Sequence, residues 1–210
     1  MGKRTEKIIV HSFVSGITRY GKTYYAKCNF ARWQGAALFF NPKGKNEKVA
    51  GSVAASGKNS IGQIIGLLHD REKINFVLDG SLVDARKQVN YICEKLLGYD
   101  WSAAGGLLVV CDEVQDFSPQ GDIKSGVLRL ARMGLGLGIK CIFVAQRPAD
   151  ASNIIISQCE EKIFFSPSPE DRSWIGGKGY PLEDIEDRIG GRKYYFCRYF
   201  GGQLSAAEIL

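Results

Sequence analysis

The sequence predicts an α/β fold in which a mainly parallel sheet is covered by helices on both faces. Short apolar runs alternate along the chain with segments of helical spacing. Most of these runs lack the period-two alternation typical of strands with one face in water, so we expect strands buried on both sides. At 210 residues, and without an internal repeat, the chain is expected to form one domain over residues 1–210.

The predicted elements follow one another in a regular order. Apolar runs predict strands at residues 8–14, 37–40, 75–78, 107–111, 141–145, 162–165 and 193–199. Helical spacing predicts helices at residues 22–33, 61–68, 81–97 and 123–133. Residues 43–60 are rich in Lys, Gly and Ser and are predicted to form an exposed loop.

Composition narrows the class of protein. Apolar residues make up 45% and charged residues 24%, and the net charge of +6 permits a polyanionic partner without requiring one. The six cysteines form no C-x-x-C pair and there are two histidines, which argues against structural zinc. Cys111 and Cys141 lie inside apolar runs and are expected to be buried. Without a secretory signal or an apolar run of membrane-spanning length, the chain is expected in the cytoplasm.

A phosphate-binding pattern follows the first predicted strand. Residues 16–23 read GITRYGKT and fit G-x-x-x-x-G-K-[ST]. Glycines let backbone N–H groups converge on phosphate oxygens, Lys22 can reach the β- and γ-phosphates, and Thr23 can offer a hydroxyl to Mg²⁺. The alternative is a turn with a surface lysine, but the strand before and the helix after favour ATP and Mg²⁺ binding. The predicted nucleotide-binding residues are Gly16, Ile17, Thr18, Arg19, Tyr20, Gly21, Lys22 and Thr23.

Polar residues end two later apolar runs. In LLVVCDE, Asp112 can hold a water on Mg²⁺, together with Thr23, and Glu113 can polarise the attacking water. An acidic pair that merely starts a loop is the alternative. In CIFVAQRP, Gln146 can sense the γ-phosphate or orient the water, and the alternative there is a loop stopped by Pro148.

The region from residue 128 to 175 carries a more specific resemblance. Its segments LARMGLGLGIKCIFVAQRPAD, IIISQCEEKIFF and DRSWI resemble the FtsK/HerA superfamily of P-loop DNA-pumping ATPases. The order of phosphate loop, acidic strand and glutamine strand matches over about residues 8–175, which implies a RecA-like P-loop NTPase core. The resemblance implies that Lys22 and Thr23 are the Walker A pair, that Asp112 and Glu113 are the Walker B pair, and that Gln146 is the sensor.

An arginine that completes a neighbouring subunit's site is also implied by the resemblance. Arg132 best matches the arginine of that helix in the superfamily. The link MGLGLGIK is longer than usual by about one helical turn, which leaves Arg129 and Arg147 as rivals. Each of these arginines has the alternative of being a solvated or ion-paired surface residue.

Because the chain holds only a motor core, it resembles the stand-alone genome-packaging ATPases of tailless icosahedral viruses with an internal membrane. This implies an ATP-driven translocase of double-stranded DNA that works as a homo-oligomeric ring. Viral capsid or membrane proteins at a packaging vertex are further expected partners, and the location is the host cytoplasm, with association with the virion. The alternatives are a zonula-occludens-toxin-like phage assembly ATPase and a nucleotide switch without motor activity. Glu113 argues against the switch, which needs no base beside the metal ligand.

Two basic segments are candidates for DNA contact. Lys43, Lys45, Lys48 and Lys58 are expected either to face a central pore or to be a solvated loop. In GGRKYYFCRYF, aromatic residues alternate with basic ones and could stack on bases, although a late strand with its aromatic residues in the core is the favoured interpretation.

Overall fold

The computed structural model describes residues 9–42, 49–78 and 80–210. Its strands, in chain order, are β1 (Ser12–Ser15), β2 (Ala36–Asn41), β3 (Val53–Ser56), β4 (Lys73–Val77), β5 (Leu107–Cys111), β6 (Ile139–Val144), β7 (Glu161–Phe164), β8 (Tyr195–Phe200), β9 (Gln203–Leu204) and β10 (Glu208–Ile209). The helices are α1 (Lys22–Arg32), α2 (Ile61–His69), α3 (Leu82–Leu96), α4 (Val114–Phe117), α5 (Gly126–Met133), α6 (Asn153–Gln158), α7 (Pro169–Gly177) and α8 (Leu182–Ile189).

One sheet joins these strands in the order β10-β8-β7-β1-β6-β5-β2-β4-β3, with β9 paired to β8. The seven strands from β7 to β3 run parallel, and β8, β9 and β10 add an antiparallel margin. Parallel neighbours need crossover connections, which explains why strands and helices alternate along the chain. The predicted α/β class with a mainly parallel sheet is confirmed.

Helices cover both faces of the sheet, as predicted. Neighbouring residues of β1 point to opposite sides: Phe13 joins one core and Val14 the other. The Val14 core includes Tyr25 and Phe30 of α1, whereas the Phe13 core includes side chains of α2, α3, α5 and α6. A third cluster lies between α7, α8 and the strands β7 and β8. Both faces of the central parallel strands are therefore buried, whereas the edge strand β3 is mostly exposed.

The structure corrects several predicted boundaries. The predicted loop at residues 43–60 contains β3, which pairs in parallel with β4 at the edge of the sheet. Its sequence, Val-Ala-Ala-Ser, is short and surrounded by Lys and Gly, so no apolar run marks it. The first strand begins at Ser12 rather than at residue 8, which lies outside the described residues. Helices α4, α6, α7 and α8 were not predicted from helical spacing.

The structure confirms the expected burial of two cysteines and shifts the last predicted strand. Cys111 and Cys141 are fully buried, as expected, and burial raises the pKa of both thiols. The last predicted strand is shifted by a residue or two: β8 places Phe196 and Cys197 in the core but leaves Phe200 exposed. Within the part of the chain that the structure describes, no helix is long and apolar enough to cross a membrane.

Candidate nucleotide-binding and hydrolysis site

The sheet order brings the three sequence motifs together. Strand β6 lies between β1 and β5, and all three strands run in the same direction. The amide of Ala145 donates to the carbonyl of Val14 at 2.9 Å, so the residues after β6 start beside the end of β1. The phosphate-binding pattern, the acidic pair and Gln146 therefore meet at the carboxyl edge of adjacent strands, where α/β sheets bind ligands.

Two glycines shape the loop between β1 and α1. Gly16 has a φ of 141°, and a Cβ there would lie 2.6 Å from the Cβ of Phe165. Gly21 has a φ of 113°, and a Cβ there would lie 2.8 Å from a side-chain carbon of Leu210. The backbone of Ile17 is also anchored, because its amide donates to the carbonyl of Ser166 at 2.8 Å. The loop is thus held by the chain that follows β7 and can take only glycine at these two turns.

Lys22 lies at the centre of this loop. Its ammonium group donates to the carbonyl oxygens of Gly16, at 2.6 Å, and Ile17, at 3.0 Å, and its side chain is buried. Helix α1 begins at the same residue, with Gly21 at its N-cap and no acidic side chain in its first turn. The positive end of the helix and the ammonium group therefore act on the same cavity, which suits an anion.

Thr23 and Asp112 provide a pair of oxygen ligands. The hydroxyl of Thr23 donates to Oδ2 of Asp112 at 3.0 Å, and the carboxylate is almost fully buried at the end of β5. Hydroxyl and carboxylate oxygens are donors that Mg²⁺ prefers, and this ion commonly takes few protein ligands because phosphates and waters supply the rest. The residues present fit Mg²⁺. The described residues contain no cluster of three or more His, Cys, Asp or Glu that would form an all-protein metal cage.

Glu113 is fixed by two amide side chains. Nε2 of Gln146 donates to its Oε1 at 2.6 Å, and Nε2 of Gln115 donates to its Oε2 at 2.8 Å. Its backbone has a φ of 58°, the left-handed conformation that a glutamate seldom adopts. That turn separates the direction of its side chain from that of Asp112. Local strain of this kind is commonly found where a side chain must be aimed at a reacting group.

Gln146 connects the acidic pair to the phosphate loop. Besides its contact with Glu113, its Oε1 accepts a hydrogen bond from the hydroxyl of Thr18 at 3.1 Å. One amide thus touches both the loop that would hold the γ-phosphate and the carboxylate that would activate water. A shift at one of these contacts would change the other, which is what the predicted sensor role requires; that role stays a prediction.

The phosphate loop, Glu113 and Gln146 line a cavity of about 390 Å³. Its walls are Thr18, Arg19, Gly21, Lys22, Thr23, Tyr24, Lys27, Glu113, Gln146 and Tyr194. On the far side of Glu113 a second cavity is lined in part by Gln115, Asp116 and Arg147. Burial raises the pKa of Asp116 there, and the nearby Glu113 carboxylate raises it further. Apart from Glu113 itself, the charged side chains that line the cavity on the loop side are therefore basic, and the cavity on the other side of Glu113 contains the carboxylates of Asp116 and Asp150.

Known structures share this fold. No family model matches the sequence, and no curated protein matches it either. The genome-packaging NTPase B204 from Sulfolobus turreted icosahedral virus 2, in complex with AMP, matches with a TM-score of 0.73 and 15% identity, over 96% of this chain and 98% of B204. This chain shares the P-loop NTPase fold of B204.

Two further known structures share this fold. B204 described as the DNA-packaging ATPase from Sulfolobus turreted icosahedral virus matches with a TM-score of 0.69 and 16% identity, over 96% of this chain and 98% of that one. EssC (ATPases 2 and 3) from Geobacillus thermodenitrificans matches with a TM-score of 0.53 and 14% identity, over 95% of this chain but 39% of that one. The predicted structural resemblance is confirmed at the level of the fold.

Of the arginine candidates, only Arg147 lies beside the site in its own chain. It follows Gln146 directly, and its Nε is 3.8 Å from Oδ2 of Asp150. Arg132 is exposed in the last turn of α5, which leads into the amino end of β6. The long link that follows Arg132, MGLGLGIK, contains a 3-10 helix at Gly134–Leu137. Arg129 is engaged in an ion pair with Glu94.

The predicted DNA-contact lysines are only partly covered by the structure. Lys43, Lys45 and Lys48 lie outside the described residues. Lys58 is exposed and follows β3, so it lies at the same edge of the sheet as the candidate nucleotide site. The chain also leaves β2 at Asn41 on that edge. Their role in DNA binding stays a prediction.

Sequence reasoning missed four residues of the site: Gln115, Tyr24, Tyr194 and also Lys27, which lies on α1 and lines the cavity. Gln115 has a weak signal, since it lies two positions after Glu113 in the short helix α4. Tyr24 has a better one, because it immediately follows Thr23 at the start of α1. Tyr194 has none: it reaches the phosphate loop through a backbone hydrogen bond from its amide to the carbonyl of Tyr20, at 3.0 Å.

Proposed function

We propose that this chain is an ATPase that moves double-stranded DNA, acting as a homo-oligomeric ring that packages a viral genome. The observation that carries the enzymatic part is the bridge of Gln146 between Thr18 of the phosphate loop and Glu113. Next to this bridge, Thr23 and Asp112 supply the oxygens suited to Mg²⁺. A pure nucleotide switch needs the loop and the metal ligands, but it does not need a carboxylate held in place beside them.

Binding begins with the charge of the loop. Lys22 can exchange the carbonyls of Gly16 and Ile17 for the β- and γ-phosphates, while the N-terminal amides of α1 face the phosphate oxygens. Thr23 and Asp112 would hold Mg²⁺, which neutralises charge on the β- and γ-phosphates when bound. Asp112, which is buried, would contact Mg²⁺ through a carboxylate oxygen, either directly or through a bridging water.

Hydrolysis follows from the position of Glu113. Its carboxylate accepts a proton from water while the water oxygen forms a bond to the γ-phosphorus and the bond to the β,γ-bridging oxygen breaks. ADP leaves with that bridging oxygen, and the proton on Glu113 returns to solvent or phosphate. Gln146 and Gln115 keep the carboxylate oriented for this step through the hydrogen bonds at 2.6 and 2.8 Å.

The transport part of the proposal is supported by the fold and by charge. B204, whose fold this chain shares, is a DNA-packaging ATPase. The net charge of +6 favours a polyanion, and Lys58 lies at the same edge as the nucleotide site. A phage extrusion ATPase of the zonula-occludens-toxin kind would use the same nucleotide chemistry and is the second candidate.

The test is the rate of ATP hydrolysis with and without long duplex DNA, followed by displacement of a third strand from a triplex. We expect duplex DNA to raise the ATPase rate and the triplex strand to be released only with ATP. Nucleotide binding without stimulation by DNA would contradict the motor and favour a switch. A matched reaction with the Glu113→Gln variant shows whether strand release depends on turnover.

A further inference from the structure

We propose that the nucleobase of the bound nucleotide lies in a cleft between Tyr24 and Tyr194, next to the phosphate loop. This inference rests on the proposed nucleotide binding at Lys22 and Thr23. It adds a base-binding surface that the sequence motifs do not contain. The proposed ligand of this cleft is a purine base.

The cleft adjoins the phosphate cavity directly. It has a volume of about 420 Å³ and is lined by Tyr24, Lys193, Tyr194, Ile209 and Leu210. Tyr24 and Tyr194 also line the cavity that contains Lys22 and Thr23, so the two spaces share these walls. A ligand whose phosphates contact the loop can therefore extend into the cleft without crossing protein.

Three of the lining side chains are large, mainly apolar and exposed. Tyr24 is 55%, Tyr194 49% and Ile209 66% accessible to solvent. Exposed apolar side chains are common singly, but a cluster of three beside a polar cavity marks a surface suited to a ligand with one apolar and one charged end. A nucleotide has that character, because a flat aromatic base is linked to its phosphates.

Backbone contacts fix Tyr194 against the loop. Its amide donates to the carbonyl of Tyr20 at 3.0 Å, and its own carbonyl accepts from the amide of Leu210 at 3.1 Å. Its φ of 64° lies in the left-handed region, which a tyrosine seldom occupies. The ring is therefore held near Gly21 by a backbone that the surrounding chain imposes, which is typical of a residue positioned for binding.

The order of atoms along a nucleotide agrees with the order of residues along α1. Lys22 and Thr23 are suited to the β- and γ-phosphates, and Tyr24 is the next residue, on the exposed side of the helix. The α-phosphate and the ribose would pass this first turn before the base reaches the cleft. Among the described residues that line the phosphate cavity, Tyr24 and Tyr194 are the only aromatic ones.

The chemistry of the cleft predicts weak selection among purines. Stacking on an aromatic ring tolerates any base, because every base has a π-face. Specific recognition of adenine needs hydrogen bonds to the edge of the base. Among the described lining side chains, only the Lys193 ammonium and the tyrosine hydroxyls can form such bonds. We therefore expect adenine and guanine nucleotides to bind with similar affinity.

A comparison of two ligands separates the base from the phosphates. The dissociation constants of ADP and of tripolyphosphate, each with Mg²⁺, are measured by calorimetry for the wild type, for Tyr24→Ala and for Tyr194→Ala. Loss of one stacking ring weakens ADP binding by about 5- to 150-fold. Tripolyphosphate has no base, so its affinity is expected to stay within about twofold. The matched control is Tyr91→Ala, which removes a similarly exposed tyrosine on α3.

Tyr24→Phe and Tyr194→Phe keep the rings and should bind ADP like the wild type. The proposal is overturned if both alanine variants bind ADP like the wild type, or if they lose ADP and tripolyphosphate equally. A preference of more than about 100-fold for ADP over GDP would overturn the expected weak selection, since only hydrogen bonds to the edge of the base give discrimination that large between two purines. If the wild type binds neither ligand, the nucleotide-binding function itself is wrong.

Discussion

Nε2 of Gln146 lies 2.6 Å from Oε1 of Glu113, and the same glutamine accepts a hydrogen bond from Thr18 of the phosphate loop. Gln115 also donates to Glu113, at 2.8 Å, but is not a wall of the phosphate cavity. The two glutamines thus form a matched pair, in which only one links the carboxylate to the loop.

The first prediction uses this pair. Gln146→Ala should lower kcat by about 10- to 100-fold with little change in ATP affinity, because it removes an interaction that matters only as the γ-phosphate reacts. Gln115→Ala keeps the bridge to Thr18 and should lower kcat by less than about threefold. Steady-state ATPase rates and binding titrations measure both. Equal losses in the two variants would mean that Gln146 only orients Glu113 and is not a sensor.

The second prediction separates binding from turnover. Glu113→Gln should bind ATP like the wild type and lower kcat by at least about 100-fold, because an amide cannot take a proton from water. Lys22→Ala should instead weaken ATP binding, because it removes the charge that meets the phosphates. Binding titration and phosphate release distinguish the two variants. Turnover by Glu113→Gln at the native rate would show that Glu113 is not the base.

The third prediction concerns Arg132. From its position near the amino end of β6 it is about 20 Å, one strand length, from the carboxyl edge where Glu113 and Gln146 meet. This distance is too large for Arg132 to reach the nucleotide of its own chain, so the predicted role requires a neighbouring subunit. Arg132→Ala alone should lower kcat by about 10³–10⁵. Mixing it with Lys22→Ala should restore part of the activity, because some interfaces then pair an intact loop with an intact arginine.

The control for this mixing experiment is Arg129→Ala, one turn earlier on α5, whose partner is Glu94 on α3. It should keep most of the activity without any mixing. Absence of rescue for Arg132→Ala, or a specific activity that stays constant down to monomer concentrations, would contradict an arginine supplied by a neighbour.

The fourth prediction concerns DNA. Replacing Lys43, Lys45 and Lys48 together by Ala should reduce the slope of log K against log salt by up to about 3, since each phosphate contact contributes about 0.9. A matched double variant removes Lys73, at the amino end of β4, and Lys95, in the last turn of α3. Both lie at the opposite edge of the sheet, so the slope should not change. A slope unaffected by the triple variant would move the DNA contact elsewhere, for example to Arg192–Arg198.

The fifth prediction concerns stability at acid pH. His11 is fully buried, its Nδ1 accepts from the amide of Cys141 at 2.9 Å, and burial lowers its pKa to about 4. The unfolded chain binds this proton near pH 6.5, so the contribution is present above pH 6.5 and is lost as pH falls towards 4. Between pH 7 and 5 the free energy of unfolding should fall by about 2 kcal/mol.

Urea denaturation at the two pH values measures this loss, with His11→Asn as the control. The Asn side-chain oxygen can accept from Cys141 but does not titrate, so this variant should lose about 2 kcal/mol less than the wild type over the same range. Equal losses would mean that other groups cause the acid sensitivity.

Local signals account for what the sequence could predict. The phosphate loop, Asp112 and Glu113 are marked by residue types at fixed spacing next to buried strands, and parallel strands bring such residues to one edge. The same reasoning failed where tertiary contacts decide. Strand β3 exists because β4 offers a free edge, and its own residues give no apolar run. The backbone of Tyr194 is fixed by partners at residues 20 and 210, a relation that no local pattern can show.

The position of β1 in the sheet also has a consequence for biosynthesis. β1 is made before both of its neighbours, β6 and β7: Ser12 pairs with Ile142 on one side and with Glu161 on the other. Until the ribosome has added the residues of β6 and β7, β1 has no strand to pair with on either side. Contacts of such long sequence separation slow folding and leave strand edges open to aggregation. Nascent chains arrested before residue 139 should therefore bind chaperones strongly, and protection of β1 from proteolysis should arise only after β7 has left the exit tunnel.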